Sequence, residues 1–174
     1  MISDSLTLKD AVSTDQFYQI VMERFEIDPP ELKRQIGELS NSGNLDISFL
    51  IEVLIAFENI KEASAERFME FPMQIVLNYL KRTHEYYTSR RLLEIEQTIF
   101  NLERKFAGSQ HAVVFRLLRN YFDAYQHDLL EHIEMEEKGL FPYVAFLDYA
   151  DRNQGDLESW YRQHGVFSID HFTM

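Results

Sequence analysis

Residues 110–142 read QHAVVFRLLRNYFDAYQHDLLEHIEMEEKGLFP, with apolar side chains returning every three or four positions until Pro142 closes the run. Phe115, Leu118, Phe122, Tyr125 and Leu129 make one stripe, and His132, Glu136 and Leu140 continue it at the same spacing. That period belongs to an amphipathic helix, since a half-buried strand alternates every second residue. His111 opens the stripe. Polar, metal-competent side chains therefore stand where the periodicity calls for apolar ones, and His132 and Glu136 lie one turn apart on one face. Burying an imidazole and a carboxylate costs on the order of several kcal/mol unless they are paired, hydrogen-bonded or bound to a cation. The stretch demands a compensating partner.

The preceding stretch supplies one. After Phe71-Pro72 a second helical pattern runs to Phe106, with Leu77, Leu80, His84, Leu92, Ile95, Ile99 and Leu102 on its stripe. Ala107-Gly108-Ser109 separates the two patterns, giving a terminal glycine and a fresh serine cap. Antiparallel packing of the two long helices is expected to bring His84 beside His132 and Glu136.

Upstream, Leu8, Val12, Phe17, Ile20, Val21 and Phe25 predict a helix that ends at Asp28-Pro29-Pro30, where the pre-proline restriction stops it. A short helix is expected from Glu31 to about Leu39. Ser40-Asn41-Ser42-Gly43-Asn44 is a loop, and Asp46 or Asn44 can cap a helix from Ile47 to about Asn59. No alternating β pattern bounded by hairpin-turn dipeptides occurs, so the fold class is all-α. The polar run Lys61–Glu66 marks a joint near Ser64, dividing a small N-terminal helical domain (residues 1–63) from a helical bundle (residues 64–174).

Composition narrows the function. Seventeen Lys+Arg against 29 Asp+Glu give a formal charge of −12, which repels phosphate backbones and anionic lipid surfaces. Neither a nucleic acid nor a membrane is an expected partner. With no cysteine, the chain can form no disulfide, thiolate nucleophile or cysteine-held metal site, so any metal chemistry falls to His, Asp and Glu. The N-terminal residues have no signal-peptide pattern and no apolar run is long enough to span a bilayer, which makes the cytoplasm the expected location. His84-Glu85 is followed by Tyr86-Tyr87-Thr88, so the His-Glu-x-x-His zinc pattern fails at its second histidine. Lys81, Gly108 and Leu129 stand three before the stripe histidines, so the Glu-x-x-His signature of ferritin-like bundles is missing too. No phosphate loop or nucleophile elbow occurs. His127, Glu131, Glu134 and Glu137 are assigned to the solvated face, and His164 to a loop or helix end.

Two stretches resemble the hemerythrin-like (HHE) di-iron domains, and among them the proteins that repair iron–sulfur centres. Residues 71–87, FPMQIVLNYLKRTHEYY, are similar to that family's first bundle helix with its ligand histidine. Residues 131–143, EHIEMEEKGLFPY, are similar to its His-x-x-x-Glu-Glu-x-x-Leu-Phe-Pro stretch, in which the histidine is a terminal ligand and the first glutamate bridges two irons. The resemblance implies His84, His111, His132, Glu136 and His171 as iron ligands in a non-haem, di-iron, hemerythrin-like up-down bundle. It further implies a role in iron–sulfur cluster repair under nitrosative or oxidative stress, with iron–sulfur proteins as clients and oxygen species or nitric oxide as small ligands. The segments Leu8–Ala11 and Phe25–Asp28 resemble the small domain that precedes the bundle in these proteins, but Pro29-Pro30 stand where that domain carries a Cys pair. The family's last bundle helix would fall beyond Met174, so the bundle is expected to be incomplete here or completed by a homodimer.

Two rival readings stay open on the residues alone. One is an oxygen- or nitric-oxide-sensing or protein-interaction module holding one metal or none. The other is a structural adaptor in which the stripe histidines are ordinary hydrogen-bonded core residues. No catalytic residue is assigned.

Overall fold

The computed structural model describes residues 16–25, 27, 46–58 and 65–152. Every regular element among them is helical, and the chain is all-α. The expected helix start at Leu8, the Pro29-Pro30 stop, the helix from Glu31, the loop at 40–44, the joint at Ser64, His164 and His171 lie outside the described residues. None of the described helices is long and apolar enough to cross a membrane.

The chain divides into two units, residues 1–83 and 84–174. In the first, α1 (Gln16–Arg24), α2 (Ile47–Glu58), the short α3 (Ala65–Met69) and most of α4 (Met73–Tyr86) enclose an apolar core. Asp46 starts α2: its Oδ1 accepts the Phe49 backbone N–H at 2.9 Å, meeting one of the donors that a helix N-terminus leaves over. Asp46→Ala is expected to lower the unfolding free energy by ~1 kcal/mol, with Asp46→Asn close to wild type, as read from urea midpoints. Pro72 precedes the first turn of α4, where its missing N–H is no loss, and its carbonyl accepts the Ile75 N–H at 2.9 Å.

Val21, Met22 and Phe25 of the α1 region pack on Phe49, Leu50, Val53 and Leu54 of α2, whose spacing puts them on one helix face. Ile75, Val76 and Tyr79 pack against the same cluster. That apolar contact draws the first three turns of α4 into the N-terminal unit, so the division between the two units falls inside α4. Arg24 is buried; it donates from Nη1 to the Tyr79 hydroxyl at 3.3 Å and lies 5.4 Å from the Phe57 ring centroid.

In the second unit the main chain passes from the end of α4 through a π-helical segment, Tyr87–Arg91, into α5 (Leu92–Phe106). A turn at Ala107–His111 leads to α6 (Ala112–Met135), a second π segment (Glu136–Leu140) and α7 (Phe141–Arg152). α5 and α6 are antiparallel. Phe106 stacks on Phe115 at 4.8 Å beside the turn, Leu92, Ile99, Phe122 and Leu129 form the middle, and His84 meets Glu136 and Glu137 at the other end. Arg119 of α6 reaches toward Glu103 and Glu96 of α5 at 3.8 and 4.0 Å.

The stripe on α6 splits into two files, each with a seven-residue step. Phe115, Phe122 and Leu129 face α5, while Leu118, Tyr125 and His132 are exposed. A stripe of mixed three- and four-residue steps is wider than one partner helix can cover, and α5 covers only half of it. Val114 and Tyr121 are exposed beside that open file.

Candidate histidine–carboxylate site

Both π segments adjoin the residues of interest. In each, a backbone N–H reaches five residues back instead of four: Leu92 to the Tyr87 carbonyl, and Phe141 to that of Glu136. Such a turn takes up one extra residue and rotates everything after it by about 100° relative to an unbroken α-helix. Hence Phe141 is buried where the straight pattern calls for Leu140, which is exposed. Thr88 Oγ1 donates to the His84 carbonyl at 2.9 Å and Ser89 Oγ to the Glu85 carbonyl at 2.6 Å, so hydroxyls occupy carbonyls at the widened turn.

Here the sequence-distant groups meet. His84 Nε2 lies 3.1 Å from Glu136 Oε2, and the other oxygen of that carboxylate, Oε1, lies 3.1 Å from His132 Nε2. On its far side, His84 Nδ1 is 2.9 Å from Glu137 Oε1. The Phe141 ring stacks on the His84 imidazole, with centroids 5.5 Å apart and planes 11° from parallel. A single carboxylate thus sits between two imidazoles, and one of those imidazoles has a second carboxylate behind it.

Solvent access is graded across the cluster: the side chains are 13% exposed for His84, 24% for Glu136, 39% for Glu137 and 56% for His132. His84 is the anchored member and His132 the open one. An imidazole nitrogen and a carboxylate oxygen at 3.1 Å need something positive between them, a shared proton or a cation, because both otherwise present lone pairs. Two donors bound to one small cation at about 2.1 Å stand roughly 3.0–3.4 Å apart for tetrahedral or octahedral angles, so the N···O separations suit either. Among the described residues, however, no group of three or more His, Asp or Glu side chains is arranged to hold a metal ion. The two oxygens of Glu136 point to separate histidines rather than converging with them on one point.

The other residues singled out from the sequence are placed as follows. His111 is the exposed residue immediately before α6, at the turn end of the helix pair. His111 and His132 are 21 positions apart, which corresponds to about 30 Å of helix, so the structure does not bring His111 to the cluster. Its neighbours are Ser109, whose Oγ accepts the His111 N–H at 3.1 Å, and the Gln110 side chain. His127 pairs with Glu131 at 3.2 Å on the solvated face. Glu134 is exposed as well, and Lys138, which donates to it and carries the opposite charge, holds its carboxyl below the usual carboxylate range.

Glu137 is a correction. Its place in the sequence assigns it to the solvated face, yet it contacts His84. The signal available was the adjacent pair Glu136-Glu137: at a turn that widens to π geometry, two consecutive side chains can both face the neighbouring helix. Comparison with protein-family models, with characterised proteins and with solved structures gave no match for this chain.

Proposed function

We propose that the cluster of His84, Glu136 and His132 is a cation site of the hemerythrin-like, non-haem iron type. The observation that carries this reading is the Glu136 carboxylate with one oxygen toward each of two imidazoles that come from helices far apart in sequence. Imidazole nitrogen and carboxylate oxygen are the donor set of non-haem iron and of zinc, and the absence of cysteine leaves no thiolate competitor in this chain. Closing on an ion requires the Glu136 carboxylate and the exposed His132 ring to turn toward His84, a small rearrangement for side chains on the open edge of a helix. When bound, such an iron supplies positions for oxygen species or nitric oxide. The chain's own residues hold it: His84 is fixed between Phe141 and Glu137, and Glu136 provides the negative charge.

The similarity of residues 131–143 to the family's His-x-x-x-Glu-Glu-x-x-Leu-Phe-Pro stretch extends the proposal to two irons and to the repair of iron–sulfur clusters, with His171 as a further ligand. Elemental analysis of protein purified without chelators tests it. Roughly two irons per chain agree with the full reading, and one ion per chain with a mononuclear site on these residues. No metal in protein with its helical spectrum intact would refute it.

A second reading is favoured by the open file on α6. Val114, Leu118, Tyr121 and Tyr125 are exposed in line with His132. On that reading the unit is an interaction module with one metal or none, and a second copy of the chain covers the file. Sedimentation equilibrium checks it: a dimer that Leu118→Glu converts to a monomer supports it, and a wild-type monomer at all concentrations opposes it.

A further inference from the structure

We propose that α6 pairs antiparallel with α6 of a second copy of the chain, about a twofold axis that passes between Leu118 and Tyr121. The inference rests on the interaction-module reading above, in which a second copy covers the open file, and adds the direction and register of the pairing. Val114, Leu118, Tyr121 and Tyr125 are between 40% and 73% exposed, and the next positions of the file, Asp128 and His132, are polar. The apolar part of the file is therefore about three turns long and centred between Leu118 and Tyr121.

Two features fit this face to a copy of itself running the other way. The steps from Val114 to Leu118, Tyr121 and Tyr125 are four, three and four residues, the same from either end, so a reversed copy presents its Tyr125 to Val114 and its Tyr121 to Leu118. A twofold interface needs such a self-matching patch, and alternating steps of three and four let two helices interlock their side chains. Tyrosine suits the contact, with a ring to bury and a hydroxyl to leave in water. The second feature is charge. Along the α5–α6 pair, residues 97–122 at the turn end carry four Lys+Arg against one Glu, whereas residues 84–96 and 123–140 toward the other end carry three Lys+Arg against nine Asp+Glu. Those counts include the ion pairs within the chain, Arg119 with Glu96 and Glu103 and Lys138 with Glu134, so the contrast between the ends survives them. A parallel pair would set acidic end beside acidic end in a chain whose formal charge is already −12. The antiparallel pair sets each acidic end beside a basic one, within the roughly 8–10 Å over which charges still act through physiological salt, and opposes the two helix dipoles. A contact of three turns is small, so the dimer belongs to the weak, concentration-dependent class, and at dilution the chain is a monomer with Leu118 in water.

Because the chain has no cysteine, a single introduced cysteine takes one nitroxide label, and pulsed dipolar electron spin resonance of the full chain at high concentration reads its distance to the same site on the second copy. In an antiparallel pair that distance grows along the axis by about 3 Å for every residue away from the twofold, since each copy contributes a rise of about 1.5 Å. Asn120 and Gln110 are both exposed. Asn120→Cys, beside the axis, is expected to give a short distance, and Gln110→Cys, roughly ten residues away, one of about 30 Å or more. Leu118→Glu, added to either variant, is expected to abolish the coupling and leave the helical spectrum intact. Any other pattern of distances, including the equal short ones that a parallel pair gives, overturns the inference while the dimer reading stands. A monomer at every concentration, or a coupling that Leu118→Glu does not remove, overturns both and leaves the file to a partner of other chemistry.

Discussion

Glu136→Ala is expected to weaken cobalt(II) or iron(II) binding by on the order of 100-fold or more, equivalent to about 2.7 kcal/mol, while leaving the helical spectrum unchanged. The size follows from what the carboxylate does: it supplies the anionic oxygen and, among the described residues, it is the contact that joins His132 to His84. Without it, His132 loses the carboxylate it pairs with among the described residues and, at 56% exposed, is expected to turn to solvent. The effect on folding is expected to be much smaller. A partly exposed ion pair contributes roughly 0–1 kcal/mol, and His84 keeps Glu137 and Phe141. Glu136→Gln separates charge from shape. It retains an oxygen for one imidazole but removes the negative charge, and is expected to lose most of the affinity. Unchanged binding in Glu136→Ala would show that any bound metal sits elsewhere in the chain.

The helical class, the Asp46 cap and the antiparallel pairing of the two long helices were legible because each depends on local, strongly periodic information; the serine cap expected at Ser109 is not formed, since α6 starts only after His111 and has no side-chain cap there. Asp46 before Ile47, Pro72 before Met73 and the break at Ala107–Ser109 all act within a few residues of themselves. The meeting of His84 with Glu136 was legible for the same reason, since two amphipathic helices joined by a short turn have essentially one way to pair. Periodicity could not say which half of a wide stripe would be covered. Leu118, Tyr125 and His132 satisfy the three-and-four spacing as well as Phe115, Phe122 and Leu129 do, and the choice between the files is made by the partner helix. Nor could it reveal the π segments, which have no compositional mark of their own. They decide that Phe141 rather than Leu140 goes inside and that Glu137 turns to His84. His111 was drawn in by the stripe because spacing records the face of a helix and is blind to distance along its axis.

Phe49→Ala is expected to lower the stability of the N-terminal unit by ~3–5 kcal/mol, the largest effect of any single side chain there. Phe49 is 1% exposed. Its ring lies 5.1 Å from that of Phe71, 5.5 Å from Tyr79, 5.9 Å from Phe68 and 6.1 Å from Phe25, with the first three near edge-to-face. These neighbours come from the end of α1, from the Phe68 and Phe71 turn and from α4, so no one movement closes the cavity that alanine leaves, and the cost should sit at the upper end for a buried aromatic. Against a typical domain stability of roughly 5–15 kcal/mol, that removes a third or more and shifts the urea midpoint accordingly, with the slope unchanged if the same surface is exposed on unfolding. Phe49→Leu refills part of the volume and is expected to recover about half of the loss. The control is Leu118→Ala on the open file of α6, where little surface is buried and a change within ~0.5 kcal/mol is expected. A loss at Phe49 no larger than that at Leu118 would mean that this aromatic cluster does not carry the fold of the first unit.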